Sequence, residues 1–309
     1  MTRLSAIVPA TDSPPTLARC LAAIAVADEP PDEVIVVDSA AGPGPAAARN
    51  EGARRATGDL LVFVDADVEP HRDAFGRVRS AFAADPGLDA LFGSYDDDPA
   101  DPALVSRFRN LLHHHVHQEG AGPAETFWAG LGAIRRESFL AAGGFHADRY
   151  PSAAVEDVEL GLRLTASGAR IALDPLLQGR HLKAWTLPAM VRTDFLRRGL
   201  PWAELVLEGR GGASELNLGA RHRLSALAAL GLAGGVVARR PRVAGVSAAA
   251  LLALNHRFYA LLVRREGLTR AAAGVGLHAL HHLTGVAAAA TALARRGRSV
   301  RGRGATRAR

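Results

Sequence analysis

The sequence predicts an α/β protein built on a doubly wound, mostly parallel sheet. Three short apolar runs, at residues 4–8, 33–37 and 60–64, are typical of buried strands. The segments between them, residues 16–27 and 46–56, are helical in character, the first by the spacing of its apolar residues and the second by its single polar face. A strand–helix–strand–helix–strand order with short connections favours parallel strands joined by right-handed crossovers.

The alternation of strands and helices continues to about residue 173. We expect further helices at residues 75–84, 102–118, 136–142 and 156–167, and further strands at residues 90–93, 127–134 and 171–173. Gly168 stands directly after the last of these helices, which is a normal place for a helix to end.

Composition predicts a globular protein in a reducing compartment, because 48% of the residues are hydrophobic, 22% are charged and Cys20 has no second cysteine to pair with. Residues 1–9 run straight into an apolar strand pattern, so we expect no secretory signal. The net charge is +6, and residues 221–309 are rich in arginine. Since no lysine-rich arm or interleaved aromatic residues accompany these arginines, we expect an anionic membrane surface and no nucleic acid as the partner.

The chain changes character after about residue 217, where long segments rich in Ala, Leu and Val are separated by arginine-containing links. We place the domain boundary within residues 209–217. The predicted domains are an α/β domain at residues 1–215, hydrophobic and membrane-associated helices at residues 216–296, and a basic disordered tail at residues 297–309.

The three hydrophobic segments, residues 224–238, 243–263 and 271–294, do not predict a simple set of spans. A span needs about 20 apolar residues; the first segment is shorter, and the other two contain polar residues. Three spans would place arginines on both sides of the membrane, against the positive-inside tendency. An interfacial or re-entrant hairpin keeps the basic links on the cytoplasmic side. The alternative is a soluble helical bundle.

Acidic side chains follow two of the predicted strands. Asp38 ends the second strand, and Asp65-Ala66-Asp67 ends the third. Ligands of doubly wound sheets bind beyond the carboxyl ends of the strands. Two carboxylates flanking a small residue can hold one divalent cation that also takes two oxygens from a diphosphate. The alternative is a pair of solvated turn aspartates.

Asp38 and Arg49 are candidates for binding a nucleotide. A carboxylate at Asp38 can accept a hydrogen bond from a base or a ribose hydroxyl, and the alternative is a helix cap or a turn aspartate. Arg49 stands on the helix before the third strand, where it could face a phosphate or a base. A solvated helix face is the alternative for Arg49.

A second acidic cluster, Glu156, Asp157 and Glu159, begins a predicted helix just after Tyr150-Pro151. The helix dipole accounts for one acid at this place, whereas a cluster suggests a general base that deprotonates an acceptor hydroxyl. His181 follows a short strand, where its imidazole could complete a metal shell or contact a phosphate. Its alternative is a buried polar residue with satisfied hydrogen bonds.

An ordered set of short motifs resembles family 2 glycosyltransferases over residues 4–181. The motifs of the nucleotide-binding half are Ala6-Ile7-Val8-Pro9, Val36-Val37-Asp38, Ala48-Arg49-Asn50-Glu51-Gly52-Ala53, Gly58-Asp59 and Phe63-Val64-Asp65-Ala66-Asp67. Those of the acceptor half are residues 130–136, Gly143-Gly144-Phe145 and residues 156–164.

The resemblance implies a GT-A fold that uses a nucleotide-sugar donor and a divalent metal, Mn²⁺ or Mg²⁺. It places Pro9 and Asp38 at the donor, Asp38 near the base, and Arg49 near base or phosphate. Asp67 would bind the metal with Asp65 beside it and His181 completing the shell. Asp157 would be the base of an inverting single displacement, and Glu156 would orient it or contact the acceptor.

The sequence departs from the family pattern at two places. Ser39-Ala40-Ala41 follows Asp38 where the family often has a second acid and Gly-Ser, which leaves the donor base open. Residues 198–202 read Arg-Gly-Leu-Pro-Trp and lack the Gln-x-x-Arg-Trp motif of processive synthases, so we expect single transfer and not polymerisation.

The predicted function is sugar transfer from a nucleotide-sugar to an acceptor hydroxyl at the cytoplasmic face of the cell membrane. Membrane lipids and lipid-linked glycans are the candidate acceptors, because some members of the family have similar hydrophobic C-terminal helices. One alternative is a nucleotidyltransferase, although residues 9–15 lack the glycines and basic residues usual in its loop. The other is a non-catalytic membrane scaffold that retains the fold.

Overall fold

The computed structural model describes residues 2–39, 42–210 and 219–307, with side chains described up to residue 298. The chain forms two compact units, Met1–Trp185 and Thr186–Arg309. The division falls earlier in the chain than the predicted domain boundary. That boundary, between residues 215 and 216, lies outside the described residues.

The first unit is a sheet covered by helices. Its strands are β1 Leu4–Pro9, β2 Glu33–Val37, β3 Leu60–Val64, β4 Val68–Pro70, β5 Ala90–Tyr95, β6 Gly122–Ala124, β7 Leu131–Arg135 and β8 Ile171–His181. Its helices are α1 Leu17–Ala25, α2 Gly44–Arg55, α3 Ala74–Ala84, α4 Leu104–Glu119, α5 Arg136–Ala141 and α6 Glu156–Ala166.

The eight strands form one mixed sheet in the order β2-β1-β3-β7-β5-β8-β4, with β6 paired to β8. Strands β1, β2, β3, β5 and β8 run in one direction, so the prediction of a mostly parallel sheet is confirmed. Strand β7 lies antiparallel between β3 and β5. Both faces of the central strand β3 are buried, which explains its uninterrupted apolar sequence.

Strand β8 is longer than the sequence predicts, because it continues past Pro175 to His181. Its pairing with β5 shifts register between Phe92 and Ser94. Gly93 lies at this irregularity, and a Cβ there would stand 1.9 Å from the Leu177 carbonyl oxygen. The bulge therefore needs glycine, and it lets β8 extend to the edge of the sheet where β3 ends.

The second unit is helical. It contains α7 Leu187–Arg192, a π-helix at Thr193–Gly199, α8 Leu200–Leu207, α9 Ala220–Val237, α10 Pro241–Leu254 and α11 His256–Arg307. Helix α11 is kinked at Gly267, where φ is +74°. It includes residues 297–307, which the sequence predicted to be a disordered tail.

Helices α9 and α10 form a hairpin with a close interface. A Cβ on Gly235 would lie 2.6 Å from the Ala244 nitrogen. Of the described helices, none is by itself long and apolar enough to cross a bilayer. The pair Pro241–Leu254 and His256–Arg298, bent by 79°, has the necessary length and composition only when taken together.

Candidate active site

The pairing of β4 with β8 brings Asp67 and His181 together. Val68, the first residue of β4, pairs with His181 at the end of β8, and the Leu182 N–H donates to the Asp67 carbonyl oxygen at 2.8 Å. As a result His181 Nε2 lies 3.8 Å from Asp67 Oδ2. The His181 ring is buried and stacks on Tyr95 at 4.1 Å between ring centroids. This packing fixes the direction in which the imidazole points.

The Asp67–His181 pair fits a divalent cation that shares its coordination with a ligand. A cation at ~2.1 Å from each donor atom can bridge two atoms at this separation. The described residues contain no group of three or more His, Cys, Asp or Glu side chains arranged to hold a metal ion. Such a cation would therefore take its other ligands from phosphate oxygens and water, as Mg²⁺ commonly does.

The two aspartates of this motif differ in charge environment. Burial raises the pKa of Asp67, but His181 and the positive charge of Lys183 more than offset it, so the pKa lies below its usual range. For Asp65, burial is the largest influence and the Asp67 charge adds to it, so its pKa is raised despite Arg49. Asp67 is thus the more readily ionised of the two, and its carboxylate is not engaged by Arg49 as that of Asp65 is.

Arg49 is buried, with 4% of its surface exposed, so it does not lie on a solvated helix face. Its Nη2 donates to Asp65 Oδ1 at 2.6 Å and its Nη1 donates to Glu156 Oε1 at 3.0 Å. Burial lowers the pKa of Arg49, but Asp65, Glu156 and Asp157 raise it further than burial lowers it. The structure therefore brings Asp65 and Glu156 together through one guanidinium group.

Asp157 stands in the first turn of α6, where its carboxylate is held by the backbone. The Ala129 N–H donates to Oδ2 at 3.1 Å and the Val158 N–H donates to Oδ1 at 2.8 Å. Burial and the neighbouring charge of Glu156 raise the pKa of Asp157 to about 6, against the opposing effect of Arg49. A carboxylate with this pKa is ionised at neutral pH and is basic enough to accept a proton during a reaction.

Asp38 and Pro9 lie at the same edge of the sheet, at the ends of neighbouring parallel strands. Pro9 pairs with Val37 at the end of β2, and Asp38 follows directly. Asp38 is exposed, and its Oδ1 accepts a hydrogen bond from the Ser39 hydroxyl at 3.3 Å. This exposed carboxylate is open to a ligand. Residues 40 and 41, at which the family pattern differs, lie outside the described residues.

Two contributors to the site were missed by the sequence reasoning, which gave them no role. Asn50 Nδ2 donates to the Phe145 carbonyl oxygen at 2.8 Å, and the Phe145 N–H donates to Asn50 Oδ1 at 2.9 Å. Gly144 has a φ of +70°, and a Cβ there would lie 2.6 Å from Asn50 Oδ1. Asn50 and Gly144 were part of the resemblance, but only the folded chain shows that they contact each other.

Comparison with known proteins adds to this geometry. Residues 39–141 match the sequence model described as glycosyl transferase family 2. The match covers one third of the chain. The matched stretch contains Arg49, Asp65 and Asp67, whereas Asp157 and His181 lie beyond it. The prediction that the chain is a glycosyltransferase is confirmed, and the match favours sugar transfer over the nucleotidyltransferase alternative.

Solved structures resemble this glycosyltransferase over most of its length. The mannosyltransferase PcManGT of Pyrobaculum calidifontis, in complex with GDP-Man and Mn²⁺, superposes with a TM-score of 0.54 at 19% identity, over 94% of this chain and 87% of that one. Glucosyl-3-phosphoglycerate synthase of Mycobacterium tuberculosis gives a TM-score of 0.47 at 16% identity, over 69% of this chain and 81% of that one. TarS 1–349 of S. aureus gives 0.46 at 14% identity, over 92% and 90%.

The first of these likenesses confirms the predicted GT-A fold of the glycosyltransferase. Its level of identity speaks to the fold and not to the substrate. No curated protein sequence matches the chain.

Proposed function

We propose that the chain transfers one sugar from a nucleotide-diphosphate-sugar to an acceptor hydroxyl by metal-dependent, inverting single displacement. The observation that carries the proposal is the continuous arrangement of acids at the end of the sheet. Asp67 lies beside His181, Asp65 shares Arg49 with Glu156, and Asp157 follows Glu156 in the chain. A donor held at Asp67 would therefore lie near the carboxylate that can activate an acceptor.

Asp67 and His181 would hold the divalent cation, Mn²⁺ or Mg²⁺, with Asp65 beside it. When bound, such a cation supplies neutralisation of the charge that develops on the departing nucleoside diphosphate. Lys183 adds a protein cation at this place, since its charge lowers the pKa of Asp67 and its Nζ stands 4.7 Å from the centre of the Trp185 ring. Asp38 and Pro9, at the ends of β2 and β1, would contact the nucleoside.

Asp157 would act as the general base. Its carboxylate takes the proton of the acceptor hydroxyl, the hydroxyl oxygen forms a bond to the anomeric carbon, and the bond from that carbon to the β-phosphate oxygen breaks. The nucleoside diphosphate leaves with the electron pair of that bond. Attack from the face opposite to the leaving group inverts the configuration. Two backbone N–H donors orient the Asp157 carboxylate for this role.

The raised pKa of Asp157 predicts how transfer depends on pH. The base acts only when it is deprotonated, so kcat/KM should be constant above about pH 7 and fall about tenfold per unit below about pH 6. The measurement is the initial rate of nucleoside diphosphate release with acceptor present, across this range at saturating metal. A rate that stays flat down to about pH 5 would contradict the assignment of the base.

We further propose that the acceptor is lipid-linked and that the α9–α10 hairpin docks on the cytoplasmic face of the cell membrane. Apolar side chains at the tip of this hairpin are exposed, Val237 by 85% and Val246 by 72%. Arg239, Arg240 and Arg242 lie between them, and residues 220–254 contain no acidic residue. Apolar side chains flanked by arginines suit an anionic lipid surface, where each arginine contributes about 1 kcal/mol.

This membrane proposal predicts loss of vesicle binding when the tip is made acidic. Val237→Asp with Val246→Asp should weaken binding to phosphatidylserine-containing vesicles at least about tenfold, because two apolar contacts are lost and charge is added. The measurement is co-sedimentation with vesicles, with Val26→Asp, a change at an exposed valine of the first unit, as the matched control. If all three proteins sediment equally, the hairpin is not the docking element.

The test of the proposed function is a panel of nucleotide-sugars incubated with purified protein and Mn²⁺ or Mg²⁺. We expect slow hydrolysis of one donor to nucleoside diphosphate, which stops when the metal is chelated. Release of pyrophosphate from a nucleoside triphosphate and a sugar phosphate would instead indicate nucleotidyl transfer. Absence of metal-dependent nucleotide binding would indicate a non-catalytic scaffold.

A further inference from the structure

The guanidinium of Arg49 joins two parts of the site that are far apart in the sequence. Asp65, which it contacts through Nη2, follows β3 at the donor edge of the sheet. Glu156, which it contacts through Nη1, begins α6, the helix that carries Asp157. The side chains of Arg49 and Glu156 are both 5% exposed, so water screens this ion pair little. This one forked contact therefore ties the start of α6 directly to the end of β3.

The surroundings of Arg49 hold it in that place. Its guanidinium stands over the Phe145 ring, with 5.6 Å from its central carbon to the ring centroid, and Asn50 fixes the Phe145 backbone. The second oxygen of Glu156 accepts the Ala154 N–H at 2.7 Å, which fastens the start of α6. Each terminal nitrogen of Arg49 contacts a protein carboxylate and the side chain is only 5% exposed, so little of the guanidinium is presented to a phosphate.

We propose that Arg49 is a positioning residue, which holds the start of α6, and with it Asp157, in register with the metal-binding end of β3, and that it is not a ligand of the donor. This inference rests on the proposed function, because it assigns how the base is kept opposite the donor. The planar guanidinium of arginine can contact two carboxylates at once, whereas the ammonium of lysine is a single point of charge.

The charges around Asp157 predict a change in the pH profile of the Arg49 variants, which loss of a purely structural contact would not produce. Glu156 faces Asp157 as an anion and raises its pKa, whereas Arg49 faces it as a cation and lowers it. Removal of the cation leaves Glu156 and Asp65 uncompensated beside the base. The acid limb of the pH profile should then move to higher pH. Arg49→Lys keeps the positive charge but cannot contact both carboxylates at once. It should therefore lower kcat and move the acid limb of the pH profile little.

The experiment compares Arg49→Lys, Arg49→Gln and the double change Arg49→Gln with Glu156→Gln in the full chain. Arg54→Gln, at an exposed arginine on the same helix, is the matched control. For each protein we would measure kcat, donor KM, the pH profile of kcat/KM, and the Kd of nucleoside diphosphate with Mn²⁺ at equilibrium.

We expect Arg49→Lys to lower kcat about 10- to 100-fold while Kd stays near the wild-type value, because misplacement of the base affects the reaction and not binding. Arg49→Gln should move the acid limb upward by about one pH unit, and the added Glu156→Gln change should move it back. If Arg49→Gln does not fold, Arg49→Lys and the double variant still decide the matter.

The inference is overturned if Arg49→Lys weakens nucleoside diphosphate binding about tenfold or more while kcat and the acid limb stay unchanged, since that result is what a phosphate ligand gives. It is also overturned if the folded variants all match Arg54→Gln. Failure of the proposed function is a separate outcome, because the wild-type protein would then release no nucleoside diphosphate from any donor.

Discussion

Asp157→Asn should abolish sugar transfer while nucleoside diphosphate binding stays near the wild-type level. The amide has the shape of the carboxylate but cannot accept the acceptor proton, so we expect kcat to fall about 10³-fold, which is about 4 kcal/mol of transition-state stabilisation. In the wild-type protein each oxygen of the Asp157 carboxylate accepts one backbone N–H, from Ala129 and from Val158. Asparagine has a single side-chain oxygen, so it can keep only one of these two hydrogen bonds. Turnover with acceptor and calorimetric binding of nucleoside diphosphate with Mn²⁺ measure the two halves of the expectation.

Asp148→Asn is the matched control for this experiment, because Asp148 is an exposed acid in the segment just before α6. It should turn over like the wild-type protein. If Asp157→Asn kept near-normal kcat, Asp157 would not be the base. If it lost nucleoside diphosphate binding together with turnover, the residue would belong to the donor site and the division of roles across the site would be wrong.

Asp67→Ala should act on the opposite half of the site. Loss of the carboxylate leaves His181 as the single remaining member of the pair, so metal-dependent binding of nucleoside diphosphate should weaken about 100-fold or more. Binding measured without metal should change little. Titration of Mn²⁺ in the presence of nucleoside diphosphate measures the effect directly, and added Mn²⁺ should restore part of the turnover.

Asp85→Ala, which removes an exposed partner of Arg170, serves as the control for Asp67→Ala and should bind metal and nucleotide normally. An unchanged Mn²⁺ dependence in Asp67→Ala would mean that the cation binds elsewhere. In that case the ionised Asp67 would serve only to pair with His181 and Lys183, whose proximity lowers its pKa.

The parts of the site that depend on local sequence could be predicted. The apolar run of β3 ends directly in Asp65-Ala66-Asp67, so the position of these acids follows from the strand itself. Likewise Glu156 and Asp157 fall in the first turn of a well-marked helix, as the sequence indicated. In both cases the position of the side chain is set within a few residues of it.

The parts that depend on pairing between distant segments could not be predicted. His181 reaches Asp67 because β4, a three-residue strand that ends in Pro70, pairs with an extension of β8 that begins beyond a bulge. Neither the short strand nor the extension has an apolar pattern of its own. The contact of Arg49 with Glu156 joins residues 107 positions apart, and no local pattern indicates it. For the same reason the antiparallel insertion of β7 between β3 and β5 was not predicted.

The most direct measurement is a crystal structure of the protein with Mn²⁺ and a non-hydrolysable analogue of the nucleotide-sugar that the donor panel selects. The account predicts Mn²⁺ in contact with Asp67 and His181 and with both phosphates, and the anomeric carbon facing Asp157 with room for one hydroxyl between them. A cation bound away from Asp67, or a sugar whose anomeric carbon turns away from Asp157, would contradict it.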